Sequence, residues 1–294
     1  MRSDALLLGV DGGGTRCRAR LCAPSGATLG EGAAGPANIR LGLDVSLAAV
    51  MQATQACLQQ AGLSSAELRR VIACLALAGA SEPRELEAAL HLKLPFGRAT
   101  ITSDAHAACV GAHGGRDGGV VVVGTGTIGW AQINRRQHRV GGWGLTVSDE
   151  GSGAWIGREL LRRVLWAHDG RIEATALIDR AFEQFQRDPH AIVRWASNAS
   201  PRDFGAFAPM VIAHARIGDA VGLELMGMAA SHVDALAARL VALGVERIAL
   251  VGGLSDHMRS WVSEPTKARL VAPAGDALDG ALQLARAVAE SAAA

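Results

Sequence analysis

The chain has 294 residues, 49% of them apolar and 19% charged, enough material for two ordinary domains with cores of their own. A net charge of +1 creates no field that would gather nucleic acid or an anionic membrane surface, so neither is expected as a partner. The five cysteines (Cys17, Cys22, Cys57, Cys74, Cys109) have no C-x-x-C spacing, which argues against a disulfide framework or a zinc site and for reduced thiols.

The first residues, MRSDALLLGV, hold too short an apolar run for a secretory leader, and Asp4 interrupts it. The longest uncharged stretch, residues 118–134, carries five glycines and reads as strands and turns, so a cytoplasmic protein is expected. A strand from Leu6 leads into a glycine turn, a second strand over 15–22 in which arginines alternate with small or apolar residues, and a third over 28–32. A helix over 44–61 closes on Gly62, followed by a buried strand within 69–80, a helix over 83–92, a strand over 99–102 and a short helix after Asp104. The pattern then restarts at Gly118 with an apolar strand, a glycine turn at 124–127, a second strand, a polar turn at 134–137 and a third strand. Helices are expected over 152–168, 176–187, 204–217 and 220–243, then one strand ending in Gly252–Gly253, and a last amphipathic helix. Two such meanders predict a duplicated α/β unit with a ligand cleft between its halves.

The glycine sites carry the chemistry. GTGTIG, at Gly124, Gly126 and Gly129, satisfies G-x-G-x-x-G, but a polar hairpin follows where a dinucleotide site needs a helix. Neither lysine lies in a Walker A context. What fits is a β-hairpin phosphate grip: glycines let backbone N–H groups line a concave turn, and Thr15, Thr125 and Thr127 add hydroxyl donors. Each turn taken singly reads equally well as a plain tight hairpin. Asp11, at the end of a buried strand beside the first turn, reads as a ligand of Mg²⁺, direct or through water, or as a turn cap.

The stretches GVDGGGT, SDAHAA, GTGTIGW, GGWG…SDEGSGAWIG and ALVGGL together resemble the N-acetylglucosamine kinases and the close bacterial glucosamine kinases, related to the BadF/BadG/BcrA/BcrD ATPases within the sugar kinase/actin-like ATPase superfamily. That resemblance runs over nearly the whole chain. It implies two ribonuclease H-like, actin-like ATPase domains with a cleft between them, residues 1–114 joined by a terminal helix over 281–294, and residues 115–280. It implies ATP with Mg²⁺ as cofactors, an amino sugar as the partner molecule, and a homodimer formed through the second domain. By the same resemblance Gly12, Gly13, Gly14 and Thr15 form the first phosphate loop, Gly124, Thr125, Gly126 and Thr127 the second, and Gly252 and Gly253 the adenosine loop.

Asp104 matches the family's catalytic base, and its position after a strand's carboxyl end agrees, although Ser103 or Asp104 also reads as the cap of the next helix. Asn38, Thr127, Gly142, Trp143, Asp149 and Glu150 match the sugar-binding region. Asn38 alone would be an ordinary loop residue, Trp143 a stacking platform or core, and Asp149–Glu150 a charge favouring the next helix's amino terminus. The GGWG turn is closer to the acetyl-sugar kinases, whereas PRDFGAFAP and LGLDVSLAAV are closer to the glucosamine kinases. The expected reaction is ATP-dependent phosphorylation of the 6-hydroxyl of N-acetylglucosamine. The alternatives are a glucosamine kinase or, in another class, an ATPase activator of a 2-hydroxyacyl-CoA dehydratase-type partner.

Overall fold

The computed structural model describes residues 5–291 of the chain. Its first part runs β1 (Leu6–Gly12), β2 (Cys17–Cys22), β3 (Thr28–Ala34), α1 (Leu43–Gln60), β4 (Val71–Leu77), α2 (Pro83–Leu90), β5 (Arg98–Ser103) and α3 (Asp104–His113). Strands β6 (Gly118–Val123), β7 (Thr127–Ile133) and β8 (Arg136–Gly141) follow, then helices α4 (Gly153–His168), α5 (Ala176–Glu183), α6 (Pro189–Ala196), α7 (Pro201–Gly205), α8 (Ala208–Arg216) and α9 (Ala220–Ala242). The chain closes with β9 (Ile248–Val251), α10 (Ser255–Arg259), α11 (Glu264–Lys267) and α12 (Ala277–Ser291).

The strands form two sheets, ordered β3-β2-β1-β4-β5 and β8-β7-β6-β9. The order of the first four strands therefore recurs, and the duplication read from the two strand–glycine–strand turns is present in the topology. In the first sheet β1 is antiparallel to β2 and β2 to β3, whereas β4 runs parallel to both β1 and β5. Central β4, VIACLAL, is buried at every position but Ile72, as expected of a parallel strand covered on both faces. The period of two divides β1 between those faces: Leu6, Leu8 and Val10 join the core made with Val50, Ala53, Cys57 and Leu58 of α1, and Leu7 joins Ala281, Ala285 and Ala289 of α12.

The chain divides into two compact units, residues 1–120, 131–138 and 272–294 in one and residues 121–130 and 139–271 in the other. In the second unit α4 packs against α5, α7, α8 and α9. Helix α9 is the one among the described residues long and apolar enough to cross a membrane by length and composition. Val221, Leu225, Met226, Ala229, Val233 and Leu240 are nonetheless buried on it, as in a core helix.

The expected helix over 176–187 stops at Glu183, because Gln186 and Arg187 take left-handed backbone angles. The expected helix over 204–217 is two pieces, with Phe204 in α7 and a new start at Ala208. Helices α7, α10 and α11 are too short to show an apolar period. For α6 and α7 the signal lay in punctuation: Asp188–Pro189 and Ser200–Pro201 each put a capping side chain before a proline in the first turn.

Candidate active site

In the first unit the candidate residues gather at the carboxyl edge of the sheet. Gly12 ends β1, and a Cβ there would collide with Leu77 and Ala37, so only glycine lets the turn lie flat on its neighbours. The Ala78 N–H donates to the Gly12 carbonyl at 2.7 Å, the Ala37 N–H to the Gly13 carbonyl at 3.0 Å, and the Gly13 N–H to the Arg16 carbonyl at 2.9 Å. These bonds pin Gly12–Thr15 against the end of β4 and the segment leading to Asn38. Asn38 bridges to Ala78, and its Oδ1 accepts the Arg40 N–H at 3.1 Å, capping the short turn Ile39–Leu41. Its Nδ2 lies toward Gly14, 4.0 Å from where a Cβ on that glycine would stand.

The strand register fixes where Asp104 stands. Gly12 pairs with Leu77 and Leu77 with Ser103, so Asp104 lies two strands along the edge from the turn, about 10 Å at ordinary strand spacing. The two readings of Ser103 and Asp104 separate here. Ser103 is the cap of α3, accepting the His106 N–H through Oγ at 3.1 Å, while Asp104 is the first helical residue and its Oδ1 accepts the Ala105 N–H at 2.9 Å. Beside them His106 is hydrogen-bonded through Nδ1 to Thr102 Oγ1 at 2.8 Å. Burial holds its imidazole below the ordinary value, against an opposing bond from Gln132.

In the second unit α4 organises the site. The Gly153 and Ala154 N–H groups at its amino end donate to the carbonyls of Gly124 and Thr125, at 2.8 and 3.2 Å. A trans peptide sets C=O and N–H on opposite sides, so the amides of Thr125 and Gly126 point away from the helix. Thr127 is 2% exposed, and its buried Oγ1 has no hydrogen-bond partner within the polypeptide. Asp149 sits against the same turn. A Cβ on Gly126 would lie 2.9 Å from its Oδ2, and its Oδ1 accepts the Gly144 N–H at 3.0 Å. Its φ of 59° is the left-handed conformation that non-glycine residues seldom adopt.

Neither Asp149 nor Glu150 caps α4. Ser152 does so, accepting the Trp155 N–H at 3.1 Å, while Glu150 accepts the Ser148 hydroxyl at 3.2 Å. Gly142, at φ 73°, is required because a Cβ would strike Ile128. Trp143 is 59% exposed, which removes core packing as its role, and the Arg139 guanidinium lies 3.8 Å from its ring centroid. Gly252, at φ 100°, presses on the Val123 carbonyl of β6, whereas Gly253 faces open space. Gly252–Gly253 and the Gly124–Thr127 turn therefore end neighbouring strands.

Asp11 has a partner that the sequence reading overlooked. Arg18 Nη2 donates to its Oδ2 at 2.6 Å and Nε at 3.2 Å, while Nη1 reaches Asp276 at 2.9 Å. Hairpin symmetry held the signal, since the turn that pairs Gly12 with Cys17 also pairs Asp11 with Arg18. For Mg²⁺ the donor set is one carboxylate beside a phosphate-sized turn, and no group of three or more His, Cys, Asp or Glu exists among the described residues. That suits an ion held mainly by phosphate oxygens and water, the usual habit of Mg²⁺. Gly205 of α7, within 3.8 Å of Thr125 by its would-be Cβ, also backs the Gly124–Thr127 turn; the PRDFGAFAP stretch contains it, but nothing in the sequence assigned it that place.

Two sheets of repeated strand order with glycine hairpins at their edges define an α/β protein of the actin-like ATPase and sugar-kinase fold. A ROK family glucokinase from Streptomyces griseus shares that fold, with a TM-score of 0.52 at 19% identity over 96% of this chain and 100% of that one. Residues 8–285 match the BadF/BadG/BcrA/BcrD ATPase family, and the chain belongs to it. It is 38% identical to glucosamine kinase GspK of Vibrio cholerae over 278 residues, 95% of each chain. It is 30% identical to an N-acetylmuramic acid/N-acetylglucosamine kinase of Clostridium acetobutylicum over 176 residues, 58% of this chain and 57% of that one. A Chromobacterium violaceum protein, crystallised under the provisional name N-acetylglucosamine kinase, has a TM-score of 0.90 at 34% identity and covers 96% of this chain and 99% of its own.

Proposed function

We propose that this chain is an amino-sugar kinase that moves the γ-phosphoryl group of ATP to a sugar 6-hydroxyl. The observation that carries the reading is Asp104: a half-buried carboxylate relieved of helix capping by Ser103, on the same sheet edge as a glycine phosphate turn and Asn38. The Asp104 carboxylate orients the hydroxyl and takes its proton as the oxygen attacks phosphorus in line and the ADP oxygen leaves. In the first unit the backbone amides of Gly12–Thr15 are donors for phosphate oxygens; in the second, those of Gly124–Thr127 and the Thr127 hydroxyl are, and Gly252–Gly253 leave room for adenosine. Asp11 is the carboxylate that would face a Mg²⁺ ion bound with ATP, directly or through water, and such an ion would supply charge neutralisation. Asn38 of the first unit, and Asp149 and Glu150 of the second, offer acceptors and donors for sugar hydroxyls, and Gly142 and Trp143 belong to the second set.

Two acceptors divide the support. The GGWG turn and the Chromobacterium neighbour favour N-acetylglucosamine; identity to GspK over 95% of both chains favours glucosamine. The electron-transfer activator reading is not supported by the thiols. All five cysteines are buried, and none lies in a C-x-x-C spacing that would present a pair of thiols to a cluster.

A coupled ADP-release assay across N-acetylglucosamine, glucosamine, glucose and N-acetylmannosamine tests the substrate class. Asp104→Ala should lower turnover about 10²–10⁴-fold while ATP still binds. Wild-type turnover in that variant would end the assignment of the base.

A further inference from the structure

A carboxylate one residue ahead of the Gly12–Thr15 turn is an awkward neighbour for phosphate, because two like charges a few ångströms apart repel. The first unit contains a built answer. Asp11 and Arg18 are directly opposed across the β1–β2 ladder and share one face of the sheet. The guanidinium is held along two edges, Nε and Nη2 on Asp11 Oδ2 and Nη1 on Asp276 Oδ2. Asp276 is itself fixed: its Oδ1 accepts the Asp279 N–H at 3.1 Å, and its own N–H donates to Asp279 Oδ2 at 2.9 Å, closing the amino end of α12. A parallel rung, Arg20 between Glu31 and Asp279, stiffens the same seam.

We propose that Arg18 is a positioning residue, which holds Asp11 in one orientation toward the phosphate turn and offsets its charge there while no Mg²⁺ is bound, with Asp276 as the anchor of the arginine. The proposal rests on the reading of Gly12–Thr15 as a phosphate site. Its geometry is specific to arginine: a planar fork satisfies two carboxylates at fixed angles, whereas a lysine ammonium supplies charge without the fork. Asp276 divides its work by atom, one oxygen serving the helix and the other serving Arg18, so Asp276→Asn keeps an efficient cap and loses the charged acceptor.

The test is calorimetric binding of ADP, with and without Mg²⁺, to wild type, Arg18→Met, Arg18→Lys and Asp276→Asn, with thermal melts and the sugar KM measured alongside. Arg18→Met should weaken ADP about tenfold, the order expected for exposing one unit charge in a half-solvated site. The sugar KM should move less than about twofold, Arg18→Lys should recover part of the loss, and Asp276→Asn should fall between wild type and Arg18→Met. Unchanged ADP affinity in Arg18→Met, with only an earlier melt, would make the arginine a structural staple and overturn the proposal. Equal losses of ADP and sugar affinity would overturn it too. If wild type binds ADP in neither condition, the phosphate-site reading falls and takes this proposal with it.

Discussion

Replacing Thr127 by valine should move stability and ligand affinity in opposite directions. Thr127 is 2% exposed and its hydroxyl is buried without a partner in the polypeptide, so the folded protein without nucleotide carries the desolvation cost of one buried polar group, about 1–3 kcal/mol. Valine keeps the branched shape that β7 accommodates and removes that cost. Taking the lower end, about 1 kcal/mol, the ligand-free melting temperature should rise by about 2–4 °C. A hydroxyl donating to an ionised phosphate contributes about 1.5–3 kcal/mol, so the same change should weaken nucleotide about 10–150-fold. Differential scanning fluorimetry without ligand and calorimetry with ADP measure the two quantities on one preparation. A variant that melts lower than wild type, or that binds ADP unchanged, refutes the argument that this hydroxyl is reserved for a ligand.

Two further outcomes follow from the same geometry. Gly252→Ala places a Cβ on the Val123 carbonyl at a φ of 100° and should cost more than about 1 kcal/mol, whereas Gly253→Ala meets open space and should melt within a degree of wild type; equal melting of the two variants would remove the strained junction between β9 and β6. His106 has a folded-state pKa below its ordinary 6.5, because burial disfavours the charged ring. The unfolded chain therefore binds the proton more readily, so this contribution is fully present above pH 6.5 and lost as the pH falls through the folded value. Denaturant unfolding between pH 7.5 and 5 should show stability declining toward acid, and His106→Gln should flatten the decline; an unaltered slope would exclude His106 as its source.

The glycine turns were legible because each sits between runs of period two: the LLLGV stretch ahead of GGGT and the alternating arginines behind it admit only a hairpin. Topology followed from the recurrence of that pattern at Gly118, since a chain that repeats its local signals repeats its strand order. Asp104 was legible as a residue at a strand's carboxyl end but not as distinct from a cap. Only the hydrogen bond from the His106 N–H to Ser103 Oγ separated the two roles. Gly205 fell within the PRDFGAFAP stretch, but its place did not show, because its use depends on α7 lying against Thr125, a contact eighty positions away in sequence.

The amino-acid sequence by itself determined the elements, the duplicated plan and the glycine turns between strands, because these depend on neighbours within a few residues and on the alternation of apolar side chains. Tertiary structure alone decided the state of the charges and donors in those turns: Arg18 drawn onto Asp11 by Asp276 from the far end of the chain, and Thr127 sealed from water without a partner. Electrostatic pairing and burial are properties of distance in space, and residues 18 and 276 become neighbours only when α12 folds against the first sheet.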